Sequence, residues 1–201
     1  MKNSLKLTVF LIPIGIAVNF IGGQIVLLLK LPLYLDSIGT IVVGALCGGI
    51  PGAIVGAITN LTISVTNPTT LAYIWLNILF GLLAGYLARR GVFTSLWKTI
   101  VASIGFAIIG GGIGSTITIL MFGGLGAGTT GMITGMLMTM GFSVQAGAFI
   151  SELFADLLDK IPTMIAVFAI LKSIPVRTLV KLPQGEKFIH RNRGEQSTHK
   201  M

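Results

Sequence analysis

The chain has 201 residues, of which 53% are hydrophobic and only 10% are charged, and its mean hydropathy is +0.92. Water-soluble domains carry about 25% charged residues, so this composition excludes a soluble enzyme and a nucleic-acid-binding module. The single cysteine, Cys47, excludes a disulfide scaffold. The composition therefore predicts an all-α integral membrane protein.

The apolar stretches predict six membrane-spanning helices, because a bilayer core about 30 Å thick needs roughly 20 apolar residues per helix. In chain order, the predicted spans are 7–29, two short spans within 37–65 that meet in a tight turn at 48–52, then 71–88, 96–122 and 144–171. A short helix over 130–140 is predicted to dip into the bilayer. Residues 1–175 would form the transmembrane domain, followed by a basic tail over 176–201.

The basic residues predict the orientation of these spans. Half of the 14 lysines and arginines lie between Lys172 and the C-terminus, against only Glu186 and Glu195, so most of the net charge of +8 comes from this segment. The others near span ends are Lys2, Lys6, Arg89, Arg90 and Lys98, which a six-span arrangement places on the same side as the tail. By the positive-inside rule both termini are cytoplasmic, and basic flanks of this kind contact anionic lipid.

The N-terminal apolar run is predicted to stay in the protein as the first span. The stretch after Lys6 is too long for a signal-peptide core, and no small-residue cleavage site ends it.

Four ionisable residues crowd onto the sixth span, namely Glu152, Asp156, Asp159 and Lys160. Each charged group in hydrocarbon costs about 2.5 to 3.5 kcal/mol, so the four should face a cavity or one another. Spacings of four and three place the carboxylates along one stripe of the helix. For Asp156, Asp159 and Lys160 a structural ion pair and a cavity lining remain equal alternatives, whereas the position of Glu152 near the outer face favours a cavity.

A second polar set lies in the predicted outer half of the protein. Tyr73 and Asn77 are four residues apart on one helix face, where they offer a stacking surface and a hydrogen-bonding amide to a small polar ring compound. Trp75 is interpreted as an aromatic belt residue at the membrane boundary. The other members of the set are Gln24, Tyr34, Asn67 and Gln145.

Small residues recur at every fourth position in the second and third spans, as Gly44, Gly48, Gly52 and Gly56. This spacing lets two helix backbones approach closely. It serves either packing within the chain, which is the default interpretation, or docking on another membrane subunit.

The sequence contains no complete motif of a known class of enzyme. The segment 126–131 matches GxGxxG, but no βαβ unit surrounds it, and no Walker lysine follows a glycine loop. Both histidines, His190 and His199, lie in the tail, so no serine has a histidine base. The carboxylates of the spans share one helix rather than converging as metal ligands. We therefore predict no catalytic residue, no metal and no cofactor.

Four segments, taken in order, resemble the substrate-binding membrane subunits (S components) of bacterial energy-coupling factor vitamin transporters. They are NFIGGQIVLLLKLPLYLDSIGT, GGIPGAIVGAITNL, YIWLNILFGLLAGYLARRG and ELFADLLDKIPTMIAVFAILKSIPVR. The resemblance covers about Leu7 to Arg177. Within the family, the chain is most similar to members assigned to pyridoxine or hydroxymethyl-pyrimidine. Riboflavin, folate, pantothenate and queuosine precursors remain alternatives.

This resemblance implies a six-helix protein of the bacterial cell membrane that binds a vitamin from outside without hydrolysing anything. Its partners would be a transmembrane coupling subunit and two ATP-binding cassette ATPase subunits, with no nucleic acid. The family's pocket implies substrate contacts at Gln24, Tyr34, Asn67, Tyr73, Asn77, Gln145, Glu152 and Asp156. Docking on the partner is implied at Gly15 and Asn19, where the family's alanine motif is not intact, and at Gly52 and Gly56.

Two other functions are left open by the residues. A stand-alone proton-coupled carrier would use Glu152 and Asp156 as proton relays, although a clear inverted repeat of broken helices is missing. A membrane sensor would require a cytoplasmic output domain, and we expect the segment after the last span to be too short for one.

Overall fold

The computed structural model describes residues 2–31, 33–126 and 128–189, and these residues are almost entirely helical, without a β-strand. Two 3-10 turns, Pro68–Tyr73 and Val92–Thr94, precede the fourth and fifth helices. The α-helices are α1 (Lys2–Leu29), α2 (Ile38–Cys47), α3 (Gly49–Ile63), α4 (Ile74–Arg89), α5 (Leu96–Phe122), α6 (Thr129–Thr139), α7 (Val144–Ser173) and α8 (Val176–Leu179).

The helical fold class is confirmed for the described residues, and the length and composition of the helices are consistent with a membrane protein. Within the described part of the chain, three segments are long and apolar enough to cross a bilayer, namely Leu5–Leu29, Pro68–Arg89 and Leu96–Phe122. α2 and α3 are apolar but short, with 10 and 15 residues, and α7 contains the ionisable cluster. The predicted helices agree with the observed ones to within a few residues, except that α1 begins at Lys2 rather than Leu7.

A single residue separates α2 from α3. Gly48 has φ +106° and ψ 165°, a conformation that glycine tolerates because it lacks Cβ. The chain reverses there, and α3 packs back along α2 so closely that a Cβ on Gly52 would lie 2.6 Å from the Cα of Gly44. Pro51 is accommodated because it lies in the first turn of α3, where backbone amides have no helical acceptor.

Glycine also mediates the contacts of this hairpin with α4. A Cβ on Gly44 would lie 2.7 Å from the carbonyl oxygen of Gly81, and a Cβ on Gly49 would lie 3.1 Å from the backbone of Leu82. Close backbone approach at small residues is how helices gain packing energy in a lipid environment. The fully buried side chains Ile41, Phe106 and others complete the core.

The two ends of the helix bundle differ in chemistry. One end, called the loop end here, comprises the described residues within 30–37, 64–73 and 123–143. The opposite end, called the basic end, contains the Gly48 turn and the described residues Lys6, Arg89, Arg90, Lys98, Lys172, Arg177, Lys181 and Lys187.

The start of the predicted tail packs against the basic end. The backbone amide of Gln184 donates to the carbonyl oxygen of Leu46 over 2.9 Å. The side chains of Leu179, Leu182 and Phe188 are buried. Residues 176–189 are therefore folded against the bundle. The predicted tail residues His190, Arg191, Arg193, His199 and Lys200 lie outside the described residues, as does Pro32.

Candidate functional site

A cavity of about 120 Å³ opens among the helices toward the loop end. A single enclosed water molecule needs roughly 10–15 Å³ of cavity volume. The cavity therefore has room for a compound of about ten non-hydrogen atoms. Aromatic and aliphatic side chains line part of it, and polar groups converge on the rest. The lining residues are Tyr34, Asp36, Asn60, Asn67, Thr69, Thr70, Tyr73, Leu76, Asn77, Phe80, Gly114, Thr130, Glu152, Asp156 and Lys160.

Glu152 is the acceptor at the centre of a hydroxyl network. The Tyr34 hydroxyl donates to Glu152 Oε2 over 2.8 Å, and the Thr118 hydroxyl donates to Oε1 over 2.8 Å. Tyr73 lies 2.6 Å from the Thr118 oxygen and acts as its donor, because the Thr118 proton is already given to Glu152. These bonds connect the 30–37 loop, α5 and α7 through one carboxylate that is only 3% exposed.

Two glycines of α5 make room for the carboxylates of α7. A Cβ on Gly110 would lie 2.5 Å from Asp156 Oδ2, and a Cβ on Gly114 would lie 3.8 Å from Glu152 Oε2. Gly110 and Gly114 are four residues apart, as are Asp156 and Glu152, so the two helices present matched faces. The polar stripe predicted on the sixth span therefore faces α5 and the cavity.

Asp159 and Lys160 have a different role from that of Glu152. Asp159 Oδ1 accepts hydrogen bonds from the backbone amides of Tyr34, over 3.0 Å, and Leu35, over 2.7 Å. Its other oxygen bonds Lys160, which also lies 3.4 Å from Asp156 Oδ1. Asp159 is fully buried and fastens the 30–37 loop to α7. Of the two alternatives for these residues, Asp159 has the structural one, an ion pair that does not line the cavity. Asp156 and Lys160 form an ion pair and also line the cavity.

An amide ladder forms the opposite wall. The Asn77 Nδ2 donates to Asn60 Oδ1 over 2.8 Å and to the Asp36 carbonyl oxygen over 3.3 Å, while Asn60 Nδ2 donates to the Thr70 carbonyl oxygen over 2.8 Å. Asn77 is only 4% exposed, and its Oδ1 has no hydrogen-bond donor among the described residues. A buried amide oxygen without a donor is uncommon in folded proteins and marks a place for a ligand or ordered water.

Asp36 lies in the loop between α1 and α2, outside the helices. Desolvation raises the pKa of its carboxyl to about 6, an effect that nearby Lys160 partly offsets. The carboxyl lines the cavity beside Lys160.

The structure brings together six of the eight residues predicted for substrate contact, namely Tyr34, Asn67, Tyr73, Asn77, Glu152 and Asp156. The other two lie elsewhere at the loop end. Gln24 donates to the Thr66 hydroxyl over 3.1 Å at the surface, and Gln145 is exposed at the start of α7. Trp75 is 73% exposed, in agreement with its interpretation as a belt residue.

The four positions predicted for partner docking are buried in contacts within the chain. Asn19 Nδ2 donates to the hydroxyls of Thr40 and Thr59, at 2.9 and 3.0 Å, and its Oδ1 accepts from the Gly39 amide at 2.6 Å. Gly15 packs against α2, Gly52 against Gly44, and Gly56 against the backbone of Asn77. In this conformation none of the four is available to a second subunit, which agrees with the default interpretation of internal packing.

Several cavity residues were not selected from the sequence as site residues. Asp36 lies in a segment interpreted as a connection, Thr130 begins the predicted short helix, and Asn60 is a single polar residue within an apolar helix. Thr118, which does not line the cavity but donates to Glu152, is likewise a polar residue within an apolar helix. For Asn60 a signal exists, because an amide in the middle of an apolar span requires a hydrogen-bond partner. For Asp36 no local pattern predicts the fold-back that carries it to the cavity.

No protein-family model, no curated protein and no solved structure matches this chain. No group of three or more metal-ligating side chains occurs within residues 2–31, 33–126 and 128–189.

Proposed function

We propose that the chain is the substrate-binding subunit of an energy-coupling factor importer, which captures a small vitamin or vitamin precursor and delivers it through partner subunits that hydrolyse ATP. The observation that carries this proposal is the cavity at the loop end, where the buried Asn77 Oδ1 lacks a donor among the described residues. Such a concave site, part apolar and part polar, suits one small organic molecule.

The distribution of charge supports the orientation that this function needs. Apart from Lys30 and Lys160, the described basic side chains gather at the end of the bundle opposite the cavity, and the positive-inside rule assigns that end to the cytoplasm. In this proposal the chain crosses the bacterial cell membrane six times, both termini are cytoplasmic, and the cavity faces outward.

The motifs that resemble S components support the assignment to a class of importer. The same chain has no phosphate-binding motif, so energy would come from a coupling subunit and two ATPase subunits. Pyridoxine and hydroxymethyl-pyrimidine are the favoured substrates, since each is a single ring with about ten to twelve non-hydrogen atoms, which suits the cavity volume.

The test uses the full chain in lipid nanodiscs and isothermal titration with pyridoxine, hydroxymethyl-pyrimidine, thiamine, riboflavin and pantothenate. We expect one compound to bind, and Asn77→Ala to weaken its binding about tenfold or more. Trp75→Ala is the matched control, because its side chain is on the same helix but exposed. Absence of binding by the whole panel, with no coupling subunit co-purifying, would contradict the proposal.

A proton-coupled carrier remains the competing function, since Glu152 and Asp156 are buried carboxyls. Proteoliposomes that contain only this chain distinguish the two. The importer proposal expects no uptake after a pH step, whereas uptake without any ATPase would favour the carrier.

A further inference from the structure

Negative charge dominates the cavity. Four of the chain's six acidic residues, Asp36, Glu152, Asp156 and Asp159, gather around a single lysine, Lys160. When all are ionised, these groups leave an excess of three negative charges at a largely desolvated site. Charge of one sign within low-dielectric walls strongly favours a ligand of the opposite sign.

Lys160 does not neutralise the whole cluster. Its ammonium group bonds Asp159, approaches Asp156 Oδ1 at 3.4 Å and donates to the Ser37 hydroxyl over 3.5 Å. An ammonium group has three donors, and these three contacts occupy them. The ammonium group of Lys160 is therefore fully used by Asp159, Asp156 and Ser37.

Glu152 has no cationic partner in the part of the chain that the structure describes. Both of its oxygens accept from neutral hydroxyls, those of Tyr34 and Thr118. A buried carboxylate without a counter-charge is costly, and a positive ligand group beside it would remove that cost.

Asn77 indicates, independently of the charges, that the ligand carries a hydrogen-bond donor. Asn77 lines the same cavity, and its buried Oδ1 accepts no hydrogen bond within residues 2–31, 33–126 and 128–189. An amide oxygen needs an N–H or O–H donor. A buried carboxyl group without a cationic partner among the described residues and a buried amide oxygen without a donor therefore belong to residues that line one small space, together with Tyr73 and Phe80.

We infer that the ligand is a small organic cation with a single ring, in which a protonated amine lies against Glu152 and an N–H group donates to Asn77 Oδ1. This inference rests on the proposed binding function. Like charge disfavours nutrients that carry a carboxylate or a phosphate ester, and the cavity volume of about 120 Å³ favours a compound with a single ring.

Matched pairs of probes test the charge requirement. Pyridoxamine and 5-aminomethyl-4-amino-2-methylpyrimidine carry a protonated aminomethyl group at pH 7, whereas pyridoxine and the 5-hydroxymethyl pyrimidine carry a neutral hydroxymethyl group at the same position. Titration into the full chain in nanodiscs of zwitterionic lipid should give at least about tenfold tighter binding for the cationic member of a pair. Pantothenate, an anion, should not bind.

The variant Glu152→Gln keeps the shape and removes the charge. It should weaken binding of the cationic member about tenfold or more and that of the neutral member less than about threefold. Glu186→Gln is the matched control, since Glu186 is exposed at the basic end. Melting curves of each variant verify that it is folded, and the preference of the native chain within each pair needs no variant at all.

The outcomes separate this inference from the proposed function. If the neutral member of each pair binds as tightly as the cationic one, or if Glu152→Gln leaves the preference unchanged, the cation requirement is overturned and the binding function stands. If no compound of either pair binds to the native chain, the binding function fails and this inference fails with it.

Discussion

Asp159 of α7 holds the backbone of Tyr34, because its Oδ1 accepts the Tyr34 amide over 3.0 Å although the two residues are 125 positions apart in the chain. The same carboxylate accepts from Leu35 and bonds Lys160. The loop that carries Tyr34 into the cavity is thus positioned by a residue that does not line the cavity itself.

Replacement of Asp159 tests this anchor. Asp159→Asn leaves Lys160 without its closest negative partner, and breaking a buried pair costs about 3–5 kcal/mol. We expect a clear fall in the thermal melting midpoint together with weaker ligand binding. The comparison variant is Asp156→Asn, whose carboxylate contacts Lys160 only at 3.4 Å, and its melting midpoint should fall less. Equal effects of the two substitutions would show that Asp159 does not hold the loop.

A second prediction concerns Asn19, which joins α1 to α2 and α3 through three hydrogen bonds. Asn19→Leu removes all of them and leaves the buried Gly39 amide without its acceptor, at a cost of about 1–3 kcal/mol. Melting of the purified chain should report this loss. Gln24→Leu on the same helix is the control, because Gln24 bonds Thr66 at the surface and should change stability little. An unchanged melting midpoint for Asn19→Leu, with coupling-subunit binding abolished, would instead support a docking role.

Gly52 gives a prediction about helix packing. The methyl group of Gly52→Ala would lie 2.6 Å from the Gly44 Cα, so α2 and α3 must separate and the melting midpoint should fall strongly. Gly105→Ala in α5 is the matched change, since no atom lies within 4 Å of its added Cβ. There the better helix propensity of alanine, worth up to about 1 kcal/mol, should leave stability equal or higher. A similar response of both variants would argue against close packing at Gly52.

The helices were largely predictable because the interruptions that separate them are local. Glycine at position 48, the 3-10 turn that begins at Pro68 and the charges at Arg89 and Arg90 each end or begin a helix through backbone or solvation effects that act within a few residues. Even the short helix α6, Thr129–Thr139, follows from such local signals.

The cavity was predictable only in part. The spacing of Glu152 and Asp156, and of Tyr73 and Asn77, places each pair on one helix face, and all four do line the cavity. For Gln24 the sequence offers no such guide, because α1 is apolar on every side and its buried face cannot be read from periodicity. The position of Asp36 depends on contacts over more than a hundred residues, which no local pattern encodes.

The hydroxyl network leads to a further prediction. Tyr73→Phe removes the donor to Thr118 while keeping the ring that stacks on Phe122, with centroids 6.3 Å apart. We expect ligand affinity to fall a few-fold, which corresponds to about 0.5–1.5 kcal/mol for one hydrogen bond, with little change in melting. Titration of the bound compound measures this directly. An affinity equal to that of the native chain would place the Tyr73 hydroxyl outside the binding network.

The central claim is that the cavity at the loop end holds a small organic nutrient, and native mass spectrometry of the freshly purified chain tests it most directly. The account predicts an additional mass that matches one small single-ring compound at one per chain, retained by Trp75→Ala and lost from Asn77→Ala. A chain that carries no such molecule even after incubation with the vitamin panel, or one whose bound molecule is unaffected by Asn77→Ala, would contradict it.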